Sequence, residues 1–300
     1  MSPDQQAWIP RFLQHLASER RTSAHTVANY QRDLGGLVAY CHSQQLSTWA
    51  NIDSQHVRLF AASEHRRGQS ARTIQRRLSA IRTFFHFLMR EGVRTSNPAI
   101  GVQAPKAPKR LPHTVDADQM SKLLDATVDA SLDIRDKAIV ELLYSSGLRL
   151  AELIGLDLVD LDMRDRTVRV LGKGRKERII PVGRQALTAL QAWLRTRGEF
   201  APGDQAAIFV SRNGERLSPR SVQARVTRWA KRQGAGVHLH PHLFRHSFAS
   251  HILESSQDLR GVQELLGHAN LGTTQIYTHL DFQHLAKIYD AAHPRAKRRG

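Results

Sequence analysis

The first third of the chain repeats apolar residues at helical spacing. Trp8, Ile9, Phe12, Leu13 and Leu16 form one stripe. Val27, Tyr30, Leu34, Leu37, Val38 and Cys41 form a second, with Thr22 and Ser23 as candidate N-caps. A third helix follows Asp53, with Val57, Phe60 and Ala61 on one side. In the fourth, Ile74, Leu78, Ile81, Phe85 and Leu88 step by four, three, four and three. A helical wheel puts Arg72, Arg76, Ser79, Thr83 and Arg90 opposite them. Cations and hydroxyls on one exposed stripe suit a helix lying against a DNA backbone, and a plainly solvated face fits equally well.

Asn97-Pro98 closes this block, and the pattern changes. Gly101 to Pro112 carries three prolines and three cations among few periodic apolar residues. Proline denies this stretch a helix and favours a stiff, extended connector whose charges could follow a DNA strand. Helical periodicity returns through Met120, Leu123 and Leu124, then Ile139, Leu142 and Leu143. Thr167–Leu171 and Arg178–Val182 read as short strands. The glycines of Gly172-Lys-Gly-Arg-Lys-Glu177 permit a tight turn between them, which puts Lys173 near a hairpin tip. Ile208–Val210 reads as a further strand, and Ser218 to about Ala292 as mostly helix. The fold class is therefore mainly α. Residues 1–98 form a four-helix amino-terminal domain, 99–113 a Pro/Lys-rich linker, and 114–300 a mixed α/β domain with a small antiparallel sheet.

Charge narrows the partner. The formal charge is +17 over 300 residues, and the basic excess is +10 through Arg110 (16 basic, 6 acidic) and +7 beyond it (28 basic, 21 acidic). Because both parts are basic, a single polybasic tail does not account for the total. A polyanion such as nucleic acid is the expected partner, with a solubilising basic surface as the plain alternative. Cys41 is the one cysteine, so an intrachain disulfide and a thiolate metal cluster are excluded, and its helical setting reads as core. The start, Met1-Ser-Pro-Asp-Gln-Gln, lacks a signal-peptide pattern, and no run reaches the length of a membrane span. The chain reads as cytosolic.

Four features of the second domain carry chemistry. They are Gly147-Leu-Arg149-Leu-Ala-Glu152, the hairpin Lys173, His242-Leu-Phe-Arg245-His246, and Gly267-His268 followed nine residues later by Tyr277. Breaking a phosphodiester without a metal needs cations around the non-bridging oxygens, which two planar arginine forks can supply. It also needs an in-line nucleophile whose proton a neighbour accepts, and a proton donor for the leaving 5′ oxygen. Two arginines, a lysine, two histidines and a tyrosine make such a set, although composition alone does not join residues so far apart.

Plainer readings compete. His238, His240, His242 and His246 are dense, yet without a matched carboxylate or thiolate they are a weak metal signal. Asp157, Asp160, Asp162 and Asp165 could suggest a two-metal nuclease, but their place between a helix and a strand favours cap and turn duties. Gly172-Lys173-Gly174 lacks P-loop spacing. Tyr277 by itself reads as a half-buried structural tyrosine.

In this order and spacing the motifs resemble the tyrosine recombinase (phage integrase) family, and the similarity runs over essentially the whole chain. Asp258-Leu-Arg-Gly-Val-Gln-Glu-Leu-Leu-Gly-His268 and Tyr277-Thr-His-Leu-Asp-Phe-Gln-His284 carry it most closely. The resemblance implies a SAM-like, core-binding amino-terminal domain and a carboxy-terminal catalytic domain. It implies that Arg149 and Arg245 clamp the scissile phosphate with His268 as a third contact, and that His242 assists proton transfer. Lys173 would protonate the leaving 5′ oxygen, Tyr277 would form the 3′-phosphotyrosyl link, and Glu152 would orient Arg149. No cofactor or ATP is implied. The implied partners are a double-stranded recombination site, a second recombinase in a cyclic heterotetramer, and a DNA translocase as regulator. Phe244 stands where the family has leucine, Leu243 where lysine is frequent, and Gly272 where a capping serine is usual.

Two other functions share these residues. A type IB topoisomerase uses the same chemistry but acts alone, and a silent DNA-binding module would not need the full set. Phe282, Leu285, Ile288 and Tyr289 follow Tyr277 at helical spacing. One reading folds this stretch back on its own domain; the other, which the resemblance favours, packs it on a neighbouring recombinase.

Overall fold

The computed structural model describes residues 1–19, 22, 24–106, 115–172, 177–235, 239–258, 261–262, 265, 289 and 292–295. The chain divides into two compact units, Met1–Leu111 and Pro112–Gly300.

The first unit is helical: α1 (Pro3–Gln6), α2 (Trp8–Ser18), α3 (Ala24–Ser43), α4 (Ser54–Arg66) and α5 (Ala71–Arg90). The predicted stripes supply its core, with Phe12, Leu16, Leu34, Leu37, Cys41, Val57, Phe60, Ile74, Leu78, Ile81, Phe85 and Leu88 all buried. Burial pushes the Cys41 thiol up to about 11, which leaves it protonated and unreactive near neutrality. The Asp53 carboxylate accepts the His56 amide at 2.9 Å and starts α4; Ser70 accepts the Thr73 amide at 3.2 Å and starts α5. Thr22 differs from expectation, because its hydroxyl donates back to the Leu16 carbonyl.

The stripe on α5 also differs. Phe84 and Phe87 are buried as well, so the inner face is wider than the four-and-three steps imply. Arg76 is held by the buried Asp33 of α3, and Arg90 donates to Glu91 at 2.9 Å and also meets His15 and Glu19. Arg72 and Ser79 remain exposed. Ala99 and Val102, read as linker, belong to this unit's core.

The second unit is built on α7 (Ser131–Ser146), whose residues from Ala138 to Ser146 are buried on every side. Around it stand α6 (Ala117–Leu124), α8 (Leu150–Gly155), α9 (Arg184–Arg197), α10 (Pro219–Arg232) and α11 (Pro241–Ser256). A three-stranded antiparallel sheet has the order β1 (Leu161–Asp162), β2 (Thr167–Leu171), β3 (Glu177–Pro181). Its register pairs Val168 with Ile180 and Val170 with Arg178. Along β3 burial alternates, so Arg178 and Ile180 share the inner face while Glu177 and Ile179 face solvent.

Ile208–Val210 is not a strand. Only isolated bridges, Asp157 to Ala207 and Val210 to Arg216, form there. All three residues are buried, so the apolar run reflects core packing rather than a ladder. The aspartate cluster does serve caps and turns. Asp160 accepts the Asp157 amide at 3.0 Å, and Asp162 accepts those of Arg164 and Asp165 at 2.9 and 2.8 Å. Among the described residues no group of histidine, cysteine, aspartate and glutamate could hold a metal ion, and no helix is long and apolar enough to cross a membrane.

Candidate active site

The site grows from the end of α7. Gly147 closes that helix in the left-handed region, at φ +56°. A Cβ there would stand 2.5 Å from the Phe248 ring of α11, so glycine is needed for both backbone shape and helix approach. The close approach lets Arg245, also on α11, donate from Nη1 to the Gly147 carbonyl at 2.7 Å.

Two residues further on, Arg149 leaves the turn in extended conformation and becomes the N-cap of α8. Glu152, at the third position of α8, reaches back to accept the Arg149 amide at 2.9 Å. Its other oxygen accepts from the Arg149 guanidinium at 2.8 Å. The role suggested for Glu152 by resemblance thus has a geometric basis: one carboxylate fixes the backbone and side chain of the same arginine.

Arg178 was not anticipated. It reaches from β3 and grips Glu152 bidentately, Nη1 to Oε1 at 3.0 Å and Nη2 to Oε2 at 2.9 Å. Its signal in the sequence was weak but real: an arginine on the inner side of a strand is costly unless paired. Burial alone would raise the Glu152 carboxyl, yet the bonds from Arg178 and from the Arg149 amide and guanidinium outweigh it and hold the group below the ordinary carboxylate range. Glu152 is therefore an anion at neutral pH.

Two guanidinium groups hold that carboxylate, and a third, that of Arg245, lies within its field. Burial, together with the positive fields of Arg149 and Arg178, pushes Arg245 down to about 10, against the opposing pull of Glu152. Planar guanidinium forks gathered in this way suit the oxygens of a phosphate diester.

The structure brings together Arg149 and Arg245, with Glu152 between Arg149 and Arg178. His242 is exposed on the first turn of α11. The helix is started by His240, whose Nδ1 accepts the Leu243 amide at 3.1 Å. A cleft of about 520 Å³ opens beside this turn, with Leu150 and His242 on its wall next to Arg220, Gln223 and Thr227 of α10. Phe244 and Leu243 are buried, so the two departures from the family pattern serve packing. Lys173, His268, Tyr277 and the Gly272 departure lie outside the described residues.

Beyond that segment the chain is anchored again. Tyr289 is buried, its hydroxyl 2.7 Å from the Ser145 Oγ of α7. Ser145 also accepts the Gly183 amide at 2.7 Å. Arg295 donates to Glu141 of the same helix at 3.0 Å and to Asp125 at 2.9 Å. For Tyr289 the structure favours folding back over the packing on a neighbour that the resemblance suggested: its ring is a core element of its own unit. Phe282, Leu285 and Ile288 lie outside the described residues.

Comparison with known proteins agrees with this architecture. Residues 113–284 match the model of the phage integrase family, and residues 9–92 that of its N-terminal SAM-like domain. The chain is 56% identical over 293 residues to tyrosine recombinase XerC of Pseudomonas syringae pv. syringae (strain B728a), covering 97% of each chain. It is 57% identical to tyrosine recombinase XerC of Alcanivorax borkumensis, over 97% of this chain and 95% of that one. In fold it resembles the XerH site-specific recombinase bound to its palindromic difH substrate, at a TM-score of 0.72 and 22% identity over 94% of both chains. A family match over more than half its length, and relatives this similar from end to end, make the chain a member of the phage integrase family of tyrosine recombinases.

Proposed function

We propose that this site-specific DNA recombinase cleaves and rejoins DNA through a 3′-phosphotyrosyl intermediate at Tyr277, with Arg149 and Arg245 as its phosphate clamp. The observation carrying this reading is the gathering of Arg149, Arg178 and Arg245 at one place, with Glu152 bonded to Arg149 and Arg178 and within the field of Arg245. Guanidinium forks stabilise the charge that develops on the non-bridging oxygens, so neither a metal nor ATP is required for the bond exchange. In this reading His268 adds a third phosphate contact, His242 assists the proton transfer of the tyrosine, and Lys173 protonates the departing 5′ oxygen.

Relatedness to XerC supports the finer assignment. In that assignment the enzyme acts in the cytoplasm with a second recombinase of the XerD kind. Together they form a cyclic heterotetramer on double-stranded DNA, resolve chromosome dimers at cell division, and are regulated by a DNA translocase. The arginine roles are tested by Arg149→Ala and Arg245→Ala. Each should slow cleavage by about 10²–10³-fold, as for loss of a preorganised donor. Half-site affinity should change far less, since one phosphate contact among many is removed. Equal losses in binding and cleavage would make these arginines DNA anchors. Cleavage should persist in excess EDTA; loss that magnesium restores would favour a metal nuclease.

A further inference from the structure

We propose that Arg178 is a positioning residue for cleavage: it holds Glu152 in the one orientation that presents the Arg149 guanidinium to the scissile phosphate. The inference rests on the assignment of Arg149 to the phosphate clamp.

The argument starts from the geometry of the carboxylate. Glu152 is nearly buried and carries bonds from three directions: the Arg149 amide, the Arg149 guanidinium and the Arg178 fork. Arg149 engages both oxygens, Oε2 through its amide and Oε1 through its guanidinium, but those two bonds tie the carboxylate only to the residue it positions. The two parallel bonds from Arg178 anchor the same two oxygens to the sheet, because a bidentate pair sets orientation as well as distance. The Arg149 side chain is 41% exposed whereas that of Arg178 is 10% exposed. The outer arginine is therefore placed to meet a ligand, and the inner one to hold the carboxylate.

Arg178 is held in turn by the sheet. It sits opposite Val170 in the β2–β3 register and on the same face as the buried Ile180. Its Nε is buried with no hydrogen-bond partner among the described residues, so the side chain takes little support from elsewhere. Its function concentrates on Glu152. A shift in the strand would move the carboxylate and, through it, Arg149. Charge balance points the same way. Glu152 is bonded to both Arg149 and Arg178, so removing Arg178 changes how strongly it draws on Arg149.

The test measures covalent trapping on a nicked half-site substrate at saturating protein, alongside half-site affinity and thermal stability. Arg178→Met should lower the trapping rate by about 10- to 100-fold, the scale of a misplacement near one ångström. Affinity should stay within about threefold, since one buried side chain is not among the many phosphate contacts. Arg178→Lys keeps a cation beside Glu152 without the fork. It should fold, and it should also cleave slowly; it carries the test if the methionine variant unfolds.

The deciding arm is the Arg149→Ala background. There Arg178→Lys should lower the residual rate no further, because the group it positions is gone. A residue with only a structural role would go on lowering it. Wild-type trapping rates in both Arg178 variants, or full additivity with Arg149→Ala, overturn the proposal. If Arg149→Ala itself cleaves normally, the clamp assignment fails instead, and the two failures are thereby distinguished.

Discussion

Arg245 and Gly147 are joined by a 2.7 Å hydrogen bond that ties α11 to the end of α7. The bond exists because Gly147 has no side chain. Its φ of +56° and the 2.5 Å approach of Phe248 to an added Cβ both exclude alanine. Gly147→Ala should therefore cost about 2–4 kcal/mol, from left-handed strain plus overpacking. Urea unfolding would measure this, and a variant as stable as the parent would show that the junction is looser than described.

The tail of the unit makes a second prediction. Arg295 is nearly buried and neutralises Glu141, which is 1% exposed. Arg295→Ala leaves that carboxylate uncompensated and should destabilise by about 3–5 kcal/mol. Adding Glu141→Gln should restore part of the loss. Deleting residues from Asp281 onward removes Tyr289 and Arg295 together, so the truncated protein should melt early and aggregate. A well-folded truncation that has lost only cooperative pairing would return the tail to an intersubunit role.

Acid should loosen the same region. His293 is fully buried against Tyr144 and Tyr289, and burial pushes it down to about 3 from an ordinary value near 6.5. Burial also lowers His251, which lies 2.8 Å from the Tyr144 hydroxyl. For a histidine depressed in the folded state, the unfolded chain binds more protons below pH 6.5, so stability is full above that pH and falls toward pH 3. The loss can reach about 1.4 kcal/mol per pH unit for each such histidine. His293→Gln should flatten the stability profile between pH 6 and 4. An unchanged slope would mean that His293 does not titrate on unfolding.

Much of this was legible because periodicity reports burial. The stripe from Ile74 to Leu88 appears as the inner face of α5, and the hairpin strands appear within one residue of their expected bounds. What could not be read depends on partners distant in sequence. Arg76 looked free on its wheel, yet Asp33, 43 residues away, holds it. Ile208–Val210 has strand composition, but two of its three carbonyls serve side chains, the indole of Trp193 on Ile208 and the guanidinium of Arg135 on Val210, and its backbone pairs only in isolated bridges. Arg149, Glu152 and Arg245 were visible as motifs. Arg178 offered only the weak signal of an inward-facing strand arginine, which gains meaning once its carboxylate is known.

Lys173 is assigned to proton donation, and a chemical substitution tests that role. Lys173→Ala should slow cleavage of ordinary DNA. Replacing the scissile 5′-bridging oxygen with sulfur should restore the rate, because a thiolate leaves without a proton donor. Failure of that rescue would move Lys173 to a binding role.

The central claim is a covalent bond at one atom. A nicked suicide substrate should trap the protein on the 3′-phosphate, and mass spectrometry of the digested complex should find the nucleotide on the peptide containing Tyr277. Tyr277→Phe should bind the same half-site and give no adduct. An adduct on another residue, or wild-type trapping by Tyr277→Phe, would contradict the account.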